Sequence, residues 1–203
     1  MIKPAPDLQK MTEWRKDLHI DFALNGHALC LHSTWGLFSP EKVDEGSQLL
    51  LRHTQVAADA EILDLGCGYG VLGLHLAQCA PQGRALLVDK DFVAVEYAKK
   101  NAALNQLRHA EVQLSNGLQH IDPLRQFDLI VSNLPAKASK EQHYLFLHDS
   151  QQHLKPGGRL VMVVILGLKE FMARTFREIF GNYTKVHQGP AYVLGCATKP
   201  DAP

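Results

Sequence analysis

The amino-acid sequence predicts an α/β fold: a doubly wound, mostly parallel sheet with helices on both faces. From about residue 61 onward, short apolar runs alternate with longer amphipathic segments, an order typical of β-α-β units. The apolar runs are nearly continuous rather than alternating, which indicates strands that are buried on both faces. The chain has 203 residues, of which 46% are hydrophobic, enough for one domain around its own core.

Residues 1–57 precede this alternation, and we expect them to form an N-terminal extension packed on a domain of residues 58–203. The polar start of the extension predicts a loose arm or a short helix. Asn25-Gly26 lies between two apolar runs and predicts a hairpin, because both central positions of the tight turn favour a positive φ. The leucines that follow predict a helix over residues 42–57.

The domain itself is predicted to contain seven strands and four helices. The predicted strands are residues 60–66, 84–90, 110–115, 127–132, 159–165, 183–188 and 191–198. The predicted helices are residues 69–80, 91–106, 140–154 and 169–180. Pro156-Gly157-Gly158 is predicted to end the third of these helices, and Gly181 the fourth.

The overall composition narrows the class of protein. Lys plus Arg equals Asp plus Glu at 21 each, so we expect weak non-specific binding to nucleic acid. The 4 cysteines include no CxxC pair, and no apolar leader or membrane-length run is seen. We therefore expect reduced thiols in a cytoplasmic protein that does not bind a membrane. His143, His148 and His153 are spaced five apart on one helix, which favours solvent exposure over a metal site.

The sharpest motif is ILDLGCGYGVLG, residues 62–73, which follows a strand and opens a helix. Glycines there let the backbone turn tightly and approach a ligand, while the helix N-terminus offers free N–H groups. Cys67 is interpreted as a small side chain that the loop requires. Asp89 ends the next strand, where its carboxylate can accept hydrogen bonds from both hydroxyls of a ribose.

Two cofactors fit this motif. Gly68-x-Gly70-x-x-Gly73 satisfies the dinucleotide fingerprint of an NAD site. Asp64, however, precedes the loop by two residues, and this further carboxylate suits a cationic ligand better than a pyrophosphate. The chain also offers no second half for a redox substrate. The motif therefore favours S-adenosylmethionine over NAD, and over a glycine turn without a ligand.

The motif DLGCGYGVLG resembles motif I of class I S-adenosylmethionine-dependent methyltransferases. GLFSPEKVDEGSQLLL before it, and NLPA and LKPGGRLVMVV after it, resemble the methyltransferase small-domain family. That family includes guanine-N2 methyltransferases of ribosomal RNA. The resemblance covers roughly residues 35–198 and implies a seven-stranded sheet whose last strand is antiparallel.

The resemblance also implies roles for individual residues in binding S-adenosylmethionine. Those expected around its methionine and ribose are Asp64, Gly66, Cys67, Gly68 and Gly70. Asp89 would hold the ribose hydroxyls, with Lys90 beside the adenine. Asn116 and Gly117 match the place where many relatives carry an Asp that faces the adenine amine, and an ordinary turn fits them equally well.

The segment VSNLPAKAS, residues 131–139, raises the question of the acceptor. Relatives that methylate exocyclic amines carry Asn-Pro-Pro and then an aromatic or apolar residue, whereas this chain has Asn133-Leu134-Pro135-Ala136. The resemblance implies that the Asn133 side-chain oxygen and the Leu134 carbonyl accept both hydrogens of the amine, with Pro135 stiffening the turn. A strand-end Asn that only caps a turn is the alternative.

We therefore expect N-methylation of the exocyclic amine of guanine in ribosomal RNA. Ala136 offers no ring for a base to stack on, so a small molecule or a protein is an alternative acceptor. A non-catalytic RNA-binding scaffold is the second alternative. Trp35 and Phe38 are expected to pack in the core or in a lid. Lys137 and Lys140 flank the acceptor segment and are either phosphate contacts or solvated.

Overall fold

The computed structural model describes residues 7–134 and 139–201. Its elements confirm the predicted order. The hairpin strands are β1 (Leu18–Leu24) and β2 (His27–Ser33), and those of the large sheet are β3 (Glu61–Leu65), β4 (Arg84–Asp89), β5 (Ala110–Leu114), β6 (Phe127–Asn133), β7 (Leu154–Ile165), β8 (Thr184–Gln188) and β9 (Tyr192–Thr198). The helices are α1 (Leu8–Trp14), α2 (Glu45–His53), α3 (Val71–Cys79), α4 (Phe92–Leu104), α5 (Lys140–His153) and α6 (Lys169–Phe180).

The large sheet has seven strands in the order β5-β4-β3-β6-β7-β9-β8. All of them are parallel except β9, which runs antiparallel to both of its neighbours. The predicted doubly wound sheet with an antiparallel last strand is thus confirmed. The strand order reverses beside β3, which pairs with β4 on one side and β6 on the other. In open α/β sheets, ligands bind at such a reversal, beyond the carboxyl ends of the strands.

Apolar side chains cover both faces of this sheet. Successive residues of β3 point to opposite faces, so Ile62 belongs to one buried cluster and Leu63 to the other. The first cluster contains residues of α2, α3, α4 and the hairpin. The second contains residues of α5 and α6. The hairpin therefore shares a continuous core with one face of the sheet.

The hairpin forms at the predicted turn, where Asn25 has φ 51° and Gly26 has φ 82°. Asn101 of α4 attaches it to the rest of the protein. The side chain of Asn101 is buried, and its Oδ1 accepts a hydrogen bond from the His32 N–H at 2.7 Å. Its Nδ2 donates to the carbonyl oxygens of His32 at 2.9 Å and Tyr69 at 2.8 Å. One amide thus joins the hairpin to the glycine loop.

Two predicted element boundaries are wrong. The helix predicted over residues 42–57 begins only at Glu45, because the Asp44 carboxylate caps it by accepting a hydrogen bond from the Ser47 N–H. Pro156-Gly157-Gly158 does not separate a helix from a strand, since α5 ends at His153 and β7 starts directly at Leu154. Leu154 already pairs with Phe127, and a register shift after this pair takes up the additional residues.

The prediction that the histidines of α5 are exposed is wrong for two of the three. His143 and His153 are buried, and only His148 is exposed. The buried pair shares the inner face of the helix with Leu147 and Ser150. His153 Nδ1 lies 2.8 Å from the carbonyl oxygen of Arg125, so its ring is held by the loop before β6. Within residues 7–134 and 139–201, no helix has both the length and the apolar character to cross a membrane.

Candidate active site

A cavity of about 520 Å³ opens at the carboxyl ends of β3, β4 and β6. It lies at the reversal of strand order, where the sheet topology favours a ligand site. Both the glycine loop and the ends of the neighbouring strands contribute residues to its lining. These lining residues include Phe38, Asp44, Ser47, Gly66, Cys67, Gly68, Asp89, Lys90, Asp91, Ser115, Gly117, Asn133, Leu134, Phe146 and Tyr192.

The glycine loop between β3 and α3 forms one wall of this cavity. Gly66, Gly68 and Gly70 have φ values of 76°, 55° and 97°, which residues with a side chain rarely adopt. A Cβ atom added at Gly66 or Gly68 would meet no atom of the described part of the chain within 4 Å. The backbone of the loop is therefore bare toward the cavity, and a ligand can approach it closely.

Asp89 holds this loop from the end of β4. Its Oδ2 accepts a hydrogen bond from the Gly68 N–H at 2.9 Å, and its Oδ1 accepts one from the Asp91 N–H at 3.0 Å. Each carboxylate oxygen has a second lone pair for a further donor. Lys90 follows at the exposed edge of the cavity. The structure thus brings Asp89 and Lys90 together with the loop, as the sequence predicts.

Asp64 does not line the cavity, although the sequence places it among the residues around the ligand. Its side chain is fully buried beneath the loop, where Oδ2 accepts a hydrogen bond from the Gly73 N–H at 2.7 Å and Oδ1 has no partner among the described residues. Burial raises the pKa of Asp64 to about 7, against the lowering effect of the Gly73 N–H. The charge of Asp89 raises this pKa further. Asp64 therefore supports the loop from below.

Of the two residues predicted after β5, only Gly117 lines the cavity. Asn116 is exposed, and its Nδ2 donates to Gln119 Oε1 at 3.1 Å. The preceding Ser115 lines the cavity instead, with its hydroxyl donating to the Gly117 carbonyl at 2.7 Å. A Cβ at Gly117 would lie 2.6 Å from Cε1 of Phe146, so the absence of a side chain lets this ring of α5 close the wall.

Asn133 and Leu134 form a second wall, at the end of β6. The Asn133 Nδ2 lies 2.8 Å from Oδ2 of Asp44 and 3.0 Å from Oγ of Ser47, both in the N-terminal part of α2. The Tyr192 hydroxyl, on β9, donates to Oδ1 of Asp44 at 2.9 Å. Asp44, Ser47 and Tyr192 were not among the residues predicted from the sequence. The first two lie within GLFSPEKVDEGSQLLL, whose resemblance to the family was the available signal.

Leu134 continues the strand ladder, since its N–H donates to the Val163 carbonyl at 3.1 Å. Pro135 and Lys137 lie outside the described residues. Trp35 and Phe38 are 46% and 66% exposed, so neither packs in the core, which was one of the two predicted alternatives, and Phe38 lines the cavity. An aromatic ring thus stands at the edge of the site, where the sequence offered none after Asn133.

Comparison with known proteins agrees with this architecture. The model of the methyltransferase small domain family matches residues 28–195. The chain belongs to the methyltransferase small domain family. The resemblance seen in the glycine loop and in NLPA is thereby confirmed.

Relatives in this family include ribosomal RNA large subunit methyltransferase G of Cronobacter sakazakii, 30% identical over 190 residues that cover 89% of this chain and 49% of the relative. A T. thermophilus 16S rRNA N2 methyltransferase, solved with AdoMet and guanosine, is 27% identical with a TM-score of 0.82. That match covers 90% of this chain and 50% of the other. The chain therefore spans about half the length of these two relatives.

The same fold occurs in M. jannaschii TYW2, solved in complex with AdoMet. That structure is 16% identical, has a TM-score of 0.66 and is matched over 92% of this chain and 88% of its own. At this identity the likeness concerns the fold alone.

Proposed function

We propose that this protein is an S-adenosylmethionine-dependent methyltransferase that methylates the exocyclic amine of guanine in ribosomal RNA. The observation that carries the proposal is that Asn133 and the bare glycine loop line one cavity. The glycine loop would form the cofactor wall, and Asn133 and Leu134 would form the acceptor wall, which binds the amine. The names of the relatives support the same activity, since they are methyltransferases of ribosomal RNA, and one was solved with AdoMet and guanosine.

The charges of the cavity favour S-adenosylmethionine over NAD. On the side of the glycine loop, the described lining residues include two acids, Asp89 and Asp91, and one base, Lys90. This arrangement attracts the cationic sulfonium and ammonium groups of S-adenosylmethionine and repels a pyrophosphate.

Each wall has a defined task. The bare backbone at Gly66 and Gly68 would let the cofactor approach, and Asp89 would accept hydrogen bonds from its ribose hydroxyls. When bound, S-adenosylmethionine supplies an electrophilic methyl group on a positively charged sulfur. The Asn133 side-chain oxygen and the Leu134 carbonyl would accept the two amine hydrogens, which fixes the nitrogen lone pair in line with the carbon–sulfur bond.

The transfer balances without a further reactant. With the cofactor held by the loop and Asp89, the amine positioned by Asn133 and Leu134 would take up the methyl group, and the electron pair of the broken carbon–sulfur bond would stay on sulfur. The nitrogen then releases one of its two protons to solvent, which leaves a neutral secondary amine. The protein contributes position and acceptor oxygens rather than a covalent intermediate.

Phe38 supports a nucleobase as the acceptor. It lines the cavity and is two-thirds exposed, so one face of its ring is accessible to a flat group. Stacking on an aromatic side chain is the usual way in which a protein holds an unpaired base. Phe38 would thus take the place of the aromatic residue that Ala136 does not provide.

The test is methyl transfer to ribosomal RNA with identification of the product. The protein is incubated with S-adenosylmethionine, carrying a labelled methyl group, and RNA from ribosomal subunits that lack the modification. The RNA is digested, and the nucleosides are separated by mass spectrometry. We expect label in N2-methylguanosine with the wild type and almost none with Asn133→Ala.

Other outcomes separate the alternatives. Label in a protein or small-molecule fraction, but not in RNA, would identify another acceptor. RNA binding without formation of S-adenosylhomocysteine would identify a non-catalytic scaffold. A salt titration of RNA binding adds an independent check, because contacts with phosphates give an affinity that falls steeply with salt.

A further inference from the structure

The carboxamide of Asn133 is surrounded by acceptors on one side. Its Nδ2 faces a carboxylate oxygen of Asp44 at 2.8 Å and the hydroxyl oxygen of Ser47 at 3.0 Å. These two contacts use both hydrogens that an amide nitrogen carries. The Oδ1 atom at the other end of the planar group then remains for a donor in the cavity.

Asp44 makes this orientation compulsory. A carboxylate only accepts hydrogen bonds, so turning the Asn133 amide over would set two oxygen atoms against each other at hydrogen-bond distance. Ser47 could tolerate either end, because a hydroxyl both donates and accepts. The carboxylate is therefore the group that discriminates between the two faces of the amide.

Three donors hold the Asp44 carboxylate in place: the Asn133 amide, the Ser47 N–H and the Tyr192 hydroxyl. It caps α2 by accepting from the Ser47 N–H at 3.2 Å, and it accepts from the Tyr192 hydroxyl at 2.9 Å. Burial and the neighbouring Asp44 raise the pKa of Tyr192 to about 12, so its hydroxyl remains a donor at neutral pH. A Cβ at Gly46 would lie 2.8 Å from Oδ2 of Asp44 and 3.1 Å from the Tyr192 ring, so Asp44 and Tyr192 pack closely against the backbone of Gly46.

We propose that Asp44, held by Tyr192, is a positioning residue that directs the Asn133 side-chain oxygen toward the amine of the acceptor. The proposal rests on the proposed function for the identity of that amine. It assigns Asp44 a task that acts through Asn133 rather than through the cofactor. Loss of the Asp44 charge should therefore lower turnover and leave the affinity for S-adenosylmethionine unchanged.

The deciding variant is Asp44→Asn. Asn caps helices as well as Asp does, so α2 keeps its start. The new amide can present either an oxygen or an N–H to Asn133, so the wrong orientation becomes accessible. We expect kcat to fall about 10- to 100-fold, with cofactor affinity within about twofold of the wild type. Glu45→Gln, which removes the neighbouring exposed acid of the same helix turn, is the matched control and should keep full activity.

A double-mutant cycle tests whether Asp44 acts through Asn133. In an Asn133→Ala background, Asp44→Asn should cause no further loss, because there is no amide left to orient. Tyr192→Phe removes only the hydroxyl and should give a smaller fall in kcat than Asp44→Asn. It also provides a second test if Asp44→Asn does not fold. An equal loss in both backgrounds, together with weaker cofactor binding, would overturn the proposal and make Asp44 a cofactor ligand.

A measurement without substrate separates this proposal from the proposed function. The side-chain amide signal of Asn133 can be assigned by NMR from its loss in Asn133→Ala. We expect both protons to be protected from exchange in the wild type and in Glu45→Gln, and to exchange faster in Asp44→Asn. Equal exchange in all three proteins would overturn the orientation of the amide. Protected protons in a protein that does not methylate RNA would contradict only the proposed function.

Discussion

The two walls of the cavity are built in different ways. The wall proposed for the cofactor comes mainly from the glycine loop, which starts at Gly66, and from Asp89 at the end of the next strand along the chain. The acceptor wall is assembled from side chains of three separate segments: Asp44 is joined to Asn133 across 89 positions and to Tyr192 across 148. The first wall is therefore built from a local motif, whereas the second depends on long-range contacts between side chains.

The largest difference between the walls should appear when Asn133 is removed. Asn133→Ala deletes an acceptor that acts on the transferring nitrogen, so we expect kcat to fall by about two to three orders of magnitude. Affinity for S-adenosylmethionine should stay within about twofold, because the cofactor wall is intact. Single-turnover kinetics with ribosomal RNA and calorimetry with the cofactor give the two values. A normal turnover would remove Asn133 from the mechanism.

The converse experiment is Asp89→Ala on the cofactor wall. It removes the predicted acceptor for the ribose hydroxyls and releases the Gly68 N–H, which it holds at 2.9 Å. We expect cofactor affinity to fall about 10- to 100-fold, the size of one or two hydrogen bonds to a charged group, and kcat at saturation to change less. Asp59→Ala, an exposed acid before β3, serves as the control. Unchanged calorimetry with Asp89→Ala would contradict its role.

Two glycine substitutions compare a tightly packed position with an open one by their effect on the free energy of unfolding. A Cβ at Gly73 would lie 2.5 Å from Cγ of Leu87 and 2.9 Å from Cβ of Asp64, so Gly73→Ala should force α3 away from β4. We expect the free energy of unfolding to fall by about 1 to 3 kcal/mol, measured by urea denaturation. Gly167→Ala, whose Cβ would meet its nearest atom at 3.9 Å, should change this free energy little. Equal effects would mean that the contact of α3 with the sheet is not tight.

The last prediction concerns the pH dependence set by Asp64, whose folded pKa of about 7 lies above its usual 3.8. Between these values the folded state binds a proton that the unfolded state has lost. The contribution of Asp64 to stability therefore falls as pH rises through this window and is constant above it. In the ligand-free protein, Asp64→Asn should flatten the decline of the free energy of unfolding between about pH 4 and pH 7. An identical pH profile for both proteins would show that Asp64 is ionised throughout.

The difference between local motifs and long-range contacts also explains which features could be predicted from the sequence. The parallel sheet and the glycine loop follow from apolar runs and from spacing within a dozen residues, and both were predicted. The partners of Asn133 could not be predicted, because no local pattern joins a helix cap to a residue on the last strand. The burial of His143 and His153 was missed for a related reason: the face of α5 that packs on the sheet is set by contacts with distant residues.

Because Tyr192 lies on β9, which follows the other strands of the sheet in the chain, the parts of the site are made in a fixed order during translation. A chain grows from its N-terminus, so the glycine loop, Asp89 and Asn133 all leave the ribosome before Tyr192 does. Until β9 inserts between β7 and β8, a nascent chain lacks the hydroxyl that steadies Asp44. The acceptor wall is thus the last part of the site to be completed during translation.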